Sequence, residues 1–161
     1  MDLDDRNPKE FPQLESRAAY DRFYQETMFE EGRRPNAITW NPQSMRYFQP
    51  ASGSSILELG SGVGGNIIVY SSRGCRCVGV ELATVNIAYG YAKMKKHYPM
   101  CLPNVTMAQG RIEDFHSPDR FDHVLITEVL EHVLDPVPVL AIACEHLNDD
   151  GEVYITAPDR S

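Results

Sequence analysis

Four glycines, Gly60, Gly62, Gly64 and Gly65, follow the short apolar run Ser55–Leu59, and an acid, Glu58, stands two residues before the first of them. Glycine at that density lets the backbone turn sharply and lets a ligand approach where any Cβ would collide. A helix beginning at the end of such a loop offers its first amides to whatever sits above the turn. That is the chemistry of a nucleotide-type cofactor site.

Strand and helix signals alternate along the rest of the chain. The pattern predicts strands over 55–59, 76–81, 104–108, 121–127 and 152–156, and helices over 64–72, 84–97 and 136–147. Alternation of this kind predicts a Rossmann-like, doubly wound α/β sheet, mainly parallel, with helices on both faces and ligands at the carboxyl ends of the strands. Glu58, Glu81, Arg111 to Glu113 and Thr127 to Glu131 all fall at such ends. Upstream, Leu14, Ala18, Phe23, Tyr24, Met28 and Phe29 predict an amphipathic helix over 14–30. Asn41-Pro42 opens a second helix running to about Phe48. The chain thus divides into an N-terminal helical segment with an acidic tail, 1–53, and a ligand-binding domain, 54–161.

The glycine spacing alone leaves two cofactor classes open. Gly60, Gly62 and Gly65 fit G-x-G-x-x-G, the dinucleotide fingerprint, and Glu81 lies near the offset of its ribose-binding acid. Glu58 points the other way, because a carboxylate at that place repels a pyrophosphate and attracts an ammonium or sulfonium.

With Glu58 and that loop, four further segments resemble the class I S-adenosylmethionine-dependent methyltransferases. They are Val78-Gly-Val-Glu81, the turn Gln109 to Phe115, the run Phe121 to Pro136 containing Val129-Leu-Glu-His132, and the strand opened by Gly151. The resemblance spans residues 54 to 158 and implies S-adenosyl-L-methionine as cofactor. It implies that Glu58 faces the cofactor's methionine end and that Gly60, Gly62 and Gly64 form its cradle. Glu81 would accept from the ribose hydroxyls, Ile112 and Glu113 would flank the adenine edge, and Thr127 would line the pocket. Arg111 stands where many members carry Asp.

Glu128, Glu131 and His132, at i, i+3 and i+4, would share a face of one helical turn. That arrangement resembles metal-binding members that methylate quinone precursors or the ends of small RNAs. The same Val-Leu-Glu-His run also occurs in metal-free members, and no metal site is assigned. His132 is the candidate general base. The implied activity is methyl transfer to a small-molecule acceptor, for instance a hydroxyl. The rival readings are an NAD-dependent oxidoreductase and a non-catalytic cofactor-binding or interaction module.

Composition narrows the partners. A net charge of −8, from 23 acids and 15 bases, argues against nucleic acid. No apolar run approaches the roughly 20 residues of a membrane span, and the polar N-terminus is no targeting peptide, so a cytoplasmic location is expected. Cys75, Cys77, Cys101 and Cys144 are expected to be buried free thiols. The family continues past the fifth strand with two more, so this chain reads as truncated there. The alternative is a homodimer or a partner covering that edge.

Overall fold

The computed structural model describes residues 44–158. The helix expected over 14–30 lies outside them, as does the start of the one from Asn41, of which the turn Ser44–Tyr47 (α1) is described.

The strand β1, Ser55–Leu59, is buried at every position, as a strand covered on both faces must be. It pairs in parallel with β2, Arg76–Glu81, and with β4, Phe121–Thr127. β3, Val105–Gln109, extends the sheet beyond β2, and β5, Leu147–Thr156, extends it beyond β4. The order β3-β2-β1-β4-β5 is parallel throughout and reverses beside β1. The crevice outside the carboxyl ends of β1 and β4 is therefore the switch point where such sheets take ligands.

Alternation sends Ile56 and Glu58 to one face of β1 and Leu57 and Leu59 to the other. On the first face Ile56, Cys77, Met107 and Leu125 pack against Ile67 and Tyr70 of α2, Gly65–Ser72, and Met94 of α3, Thr84–His97. On the second, Leu57, Leu59, Val124 and Ile126 meet Val139 and Ile142 of α4, Pro136–Glu145. Each fully buried side chain of this size contributes about 1.5–3 kcal/mol. Two glycines bring the layers close. A Cβ at Gly79 would lie 2.4 Å from Ile67 Cδ1, and one at Gly90 would lie 2.8 Å from the Val63 carbonyl oxygen.

β3 lies one residue later than the sequence reading and α2 starts one residue later. The larger differences are at α4 and β5. α4, capped by Asp135 accepting from Val137 N, ends at Glu145 rather than 147. β5 begins at Leu147 rather than 152. The cause is pairing at the bottom of the sheet. Phe121 N donates to the His146 carbonyl at 2.8 Å, and Leu147 pairs with Phe121. The ladder then shifts register, and Asn148 Nδ2 donates to Asp122 Oδ1 at 2.9 Å. Asp122 Oδ2 accepts from Ser55 N at 2.8 Å and Ser55 Oγ at 2.9 Å.

The cysteines are all free thiols; Cys75, Cys77 and Cys101 are buried as expected, but Cys144 is exposed. Among the described residues no helix is long and apolar enough to cross a membrane.

Candidate active site

The loop from Gly60 to Gly64 leaves β1 and turns into α2 through three residues of positive φ, Gly60 at 80°, Gly62 at 54° and Gly64 at 77°. Only glycine adopts that region without strain. The positions differ in what surrounds them. A Cβ on Gly60 would sit 2.5 Å from Val129 Cγ2, so this glycine lets the loop after β4 close on the loop after β1. A Cβ on Gly62 would meet none of the described residues within 4 Å. Among them Gly62, rather than Gly60, borders open space. Gly64 is the N-cap of α2 and carries no side-chain cap.

Glu81 ends β2 and holds the loop. Its Oε2 accepts from Gly62 N at 2.8 Å, and its Oε1 accepts from Ala83 N at 2.8 Å and Asn86 Nδ2 at 3.2 Å. Its backbone carbonyl accepts from Gly110 N at 3.0 Å, which fixes the turn after β3. Burial raises its carboxyl above the usual range, against the hydrogen bonds from Ala83, Asn86 and Gly62.

Glu58 lies 2 % exposed in the middle of the sheet. Its Oε1 accepts from Asn66 Nδ2 at 2.6 Å and Thr127 Oγ1 at 3.2 Å. Its Oε2 is buried and has no hydrogen-bond partner among the described residues. Burial pushes the carboxyl up from 4.5 to about 7, the bonds from Asn66 and Thr127 lower it, and the Glu81 charge raises it further. A buried carboxylate oxygen without a donor is costly, and a cationic ligand group would relieve that cost.

Past β3, Ile112 opens the 3₁₀ turn Ile112–Asp114 and packs against the second core cluster. Arg111 Nη2 donates to Glu113 Oε1 at 3.1 Å, so the candidate adenine-edge acid is held by the arginine beside it. A cleft of about 480 Å³ opens beside this turn, lined by Leu82, Ala108, Gln109, Gly110 and Arg111 among others. It falls within the usual range of ligand pockets.

The expected helical face of Glu128, Glu131 and His132 does not form. Glu128 takes a left-handed φ of 54°, its amide donating to Thr156 O at 3.0 Å, and only Leu130–His132 makes a 3₁₀ turn. His132 Nε2 is 3.7 Å from Glu131 Oε1. Among the described residues no group of three His, Cys, Asp or Glu side chains is arranged to hold a metal ion.

A family model described as a methyltransferase domain matches residues 20–161. The chain belongs to the methyltransferase-domain family. Its fold and glycine loop are those of the class I S-adenosylmethionine-dependent members. The methyltransferase domain is 26% identical over 113 residues to an (S)-coclaurine N-methyltransferase of Papaver somniferum, covering 69% of this chain and 31% of that protein. It is 32% identical over 117 residues to a ubiquinone biosynthesis O-methyltransferase of Azorhizobium caulinodans, covering 72% and 45%. The crystal structure of the glycopeptide N-methyltransferase MtfA complexed with (S)-adenosyl-L-methionine superposes with a TM-score of 0.59 at 26% identity, covering 68% of this chain and 49% of that one. The domain thus spans about a third to a half of the length of these curated relatives.

Two side chains at this site escaped the sequence reading. Asn66 joins Glu58 to Thr127, and Asn86, 2 % exposed, holds Glu81. Each is a polar residue in the first turn of a helix read for its apolar positions, and that is the signal that marks it.

Proposed function

We propose that the domain binds S-adenosyl-L-methionine above the glycine loop and transfers its methyl group to a small-molecule acceptor. The observation that carries the reading is Glu58 Oε2, a buried carboxylate oxygen with no donor at the switch point of the sheet. A dinucleotide would bring phosphate to that oxygen, and like charges repel. A methionine-type ammonium supplies the missing donor. Gly62, with open space where a Cβ would project, fits a ligand lying close to the backbone.

When bound, the cofactor supplies a methyl carbon activated by a sulfonium sulfur. The residues of the chain bind and align. Glu81 Oε2 accepts from Gly62 N, and a carboxylate oxygen has a further lone pair for a ribose hydroxyl. The cleft beside Leu82 and Gly110 suits the base, and Ile112 and Glu113 lie on the adjoining turn. Thr127 and Asn66 hold Glu58. The enzyme's contribution to an in-line displacement is mainly orientation. For a hydroxyl or ammonium acceptor a proton must leave, and His132 is the candidate base, with Glu131 Oε1 3.7 Å from Nε2 beside the charge the ring would gain.

Thermal-shift measurement tests the cofactor class. S-adenosylhomocysteine should raise Tm, and further with each increase in its concentration above Kd, and NADH should not. The reverse result would restore the oxidoreductase reading. A shift without methyl transfer to any acceptor offered would support a non-catalytic module.

A further inference from the structure

We infer that Asn66 is a positioning residue that decides which oxygen of Glu58 meets the cofactor; the inference rests on Glu58 being the group that meets it. Asn66 Nδ2 donates to Glu58 Oε1 at 2.6 Å and to Thr127 Oγ1 at 3.2 Å, and Thr127 Oγ1 donates to the same Oε1 at 3.2 Å. These three contacts place the amide and the hydroxyl together against Oε1. The amide turns its nitrogen toward Glu58, because the Asn66 carbonyl oxygen placed against Oε1 would set acceptor against acceptor. Oε1 is thereby occupied twice, and Oε2 is the oxygen left without a donor.

Among the described residues Asn66 makes the shorter of the two side-chain bonds to Glu58. β2 brings Cys77 and Glu81 toward Glu58, α2 brings Tyr70, and none carries a positive charge. On β4 the titratable His123 lies opposite Ile56, while the apolar Leu125 lies opposite Glu58. The hydrogen bonds that favour the ionised form of Glu58 come from Asn66 first and Thr127 second. Asn66 therefore sets both the rotamer of the carboxylate and its readiness to lose a proton.

A double-mutant cycle tests this by calorimetry with S-adenosylhomocysteine. Asn66→Ala should weaken binding about tenfold at pH 7.5, an effect of roughly 1.4 kcal/mol. It should leave methylthioadenosine, which has the nucleoside but no amino-acid end, within about twofold. Asn66→Asp keeps the shape, removes the donors and adds a like charge, so it should weaken binding further and serves if the alanine variant does not fold. The pH midpoint of S-adenosylhomocysteine binding should move upward in both variants. In a Glu58→Gln background Asn66→Ala should cost less than about twofold, since its effect runs through the carboxylate. Equal loss in both backgrounds would overturn the positioning role while leaving the cofactor reading intact. Unchanged binding by Glu58→Gln alone would instead overturn the cofactor reading, and this inference with it.

Discussion

The Glu81 carboxylate accepts from the Gly62 amide at 2.8 Å, so the end of the second strand and the glycine loop form one unit before any ligand arrives. The same residue's carbonyl holds Gly110. One side chain and its backbone thus set the spacing of three strand ends, and substitution there acts on the site and on the fold together.

Glu81→Ala is expected to weaken S-adenosylhomocysteine binding by about 1–3 kcal/mol, the range for hydrogen bonds to a charged group. Calorimetry reads the affinity and a melting curve reads the fold. A folded variant with unchanged affinity would remove Glu81 from the ribose site.

Gly60 and Gly62 should respond differently to alanine. A Cβ at Gly60 would collide with Val129, so Gly60→Ala should lower stability by about 1–3 kcal/mol through overpacking, in addition to its backbone strain. Gly62→Ala carries only the strain of its positive φ, about 1–2 kcal/mol, yet places a methyl group in the space proposed for the cofactor. Urea denaturation should rank Gly60→Ala as the less stable, and ligand titration should rank Gly62→Ala as the weaker binder relative to its stability.

Glu58 should make the free protein less stable at alkaline pH. Burial raises its carboxyl from 4.5 to about 7 in the folded chain. A raised carboxyl contributes its stability fully below the unfolded value and loses it as pH rises through about 7, a loss on the order of 3 kcal/mol. Glu58→Gln should therefore raise Tm at pH 8 and change it little at pH 4.5. A lower Tm at pH 8 would contradict the burial argument.

Asp122 should act with the opposite sign. The Ser55 amide and hydroxyl, then Asn148, hold its carboxyl below the usual value. A depressed carboxyl gives stability that is present above its unfolded value of 3.8 and is lost as pH falls toward the folded one. Asp122→Ala should destabilise by about 1–3 kcal/mol at pH 7 and leave cofactor affinity unchanged, since Asp122 lies at the far end of the strand.

The sheet was legible because its strands are short apolar runs with local turn signals. Ser55–Leu59, Arg76–Glu81 and Phe121–Thr127 have the ends that periodicity assigns them. The start of the fifth strand was not legible. Asn148 to Gly151 have turn composition, and a bond to Asp122 26 residues away draws them into the sheet. The acids at the strand ends could be named from position alone. Their partners could not, because Thr127 meets Glu58 across 69 residues. Nor does any local pattern announce a left-handed Glu128, and that conformation undoes the helical face expected of Glu128, Glu131 and His132.

The most direct test of the account is the number of protons released when S-adenosylhomocysteine binds, measured by calorimetry at pH 6 in buffers of different ionisation heat. With its carboxyl raised to about 7, Glu58 is mostly protonated in the free protein at that pH. A ligand ammonium at Oε2 favours the carboxylate, so binding should release close to one proton, and Glu58→Gln should abolish that release. Binding with no proton exchange, or with proton uptake, would contradict the claim that this buried carboxylate is the group that receives the cofactor.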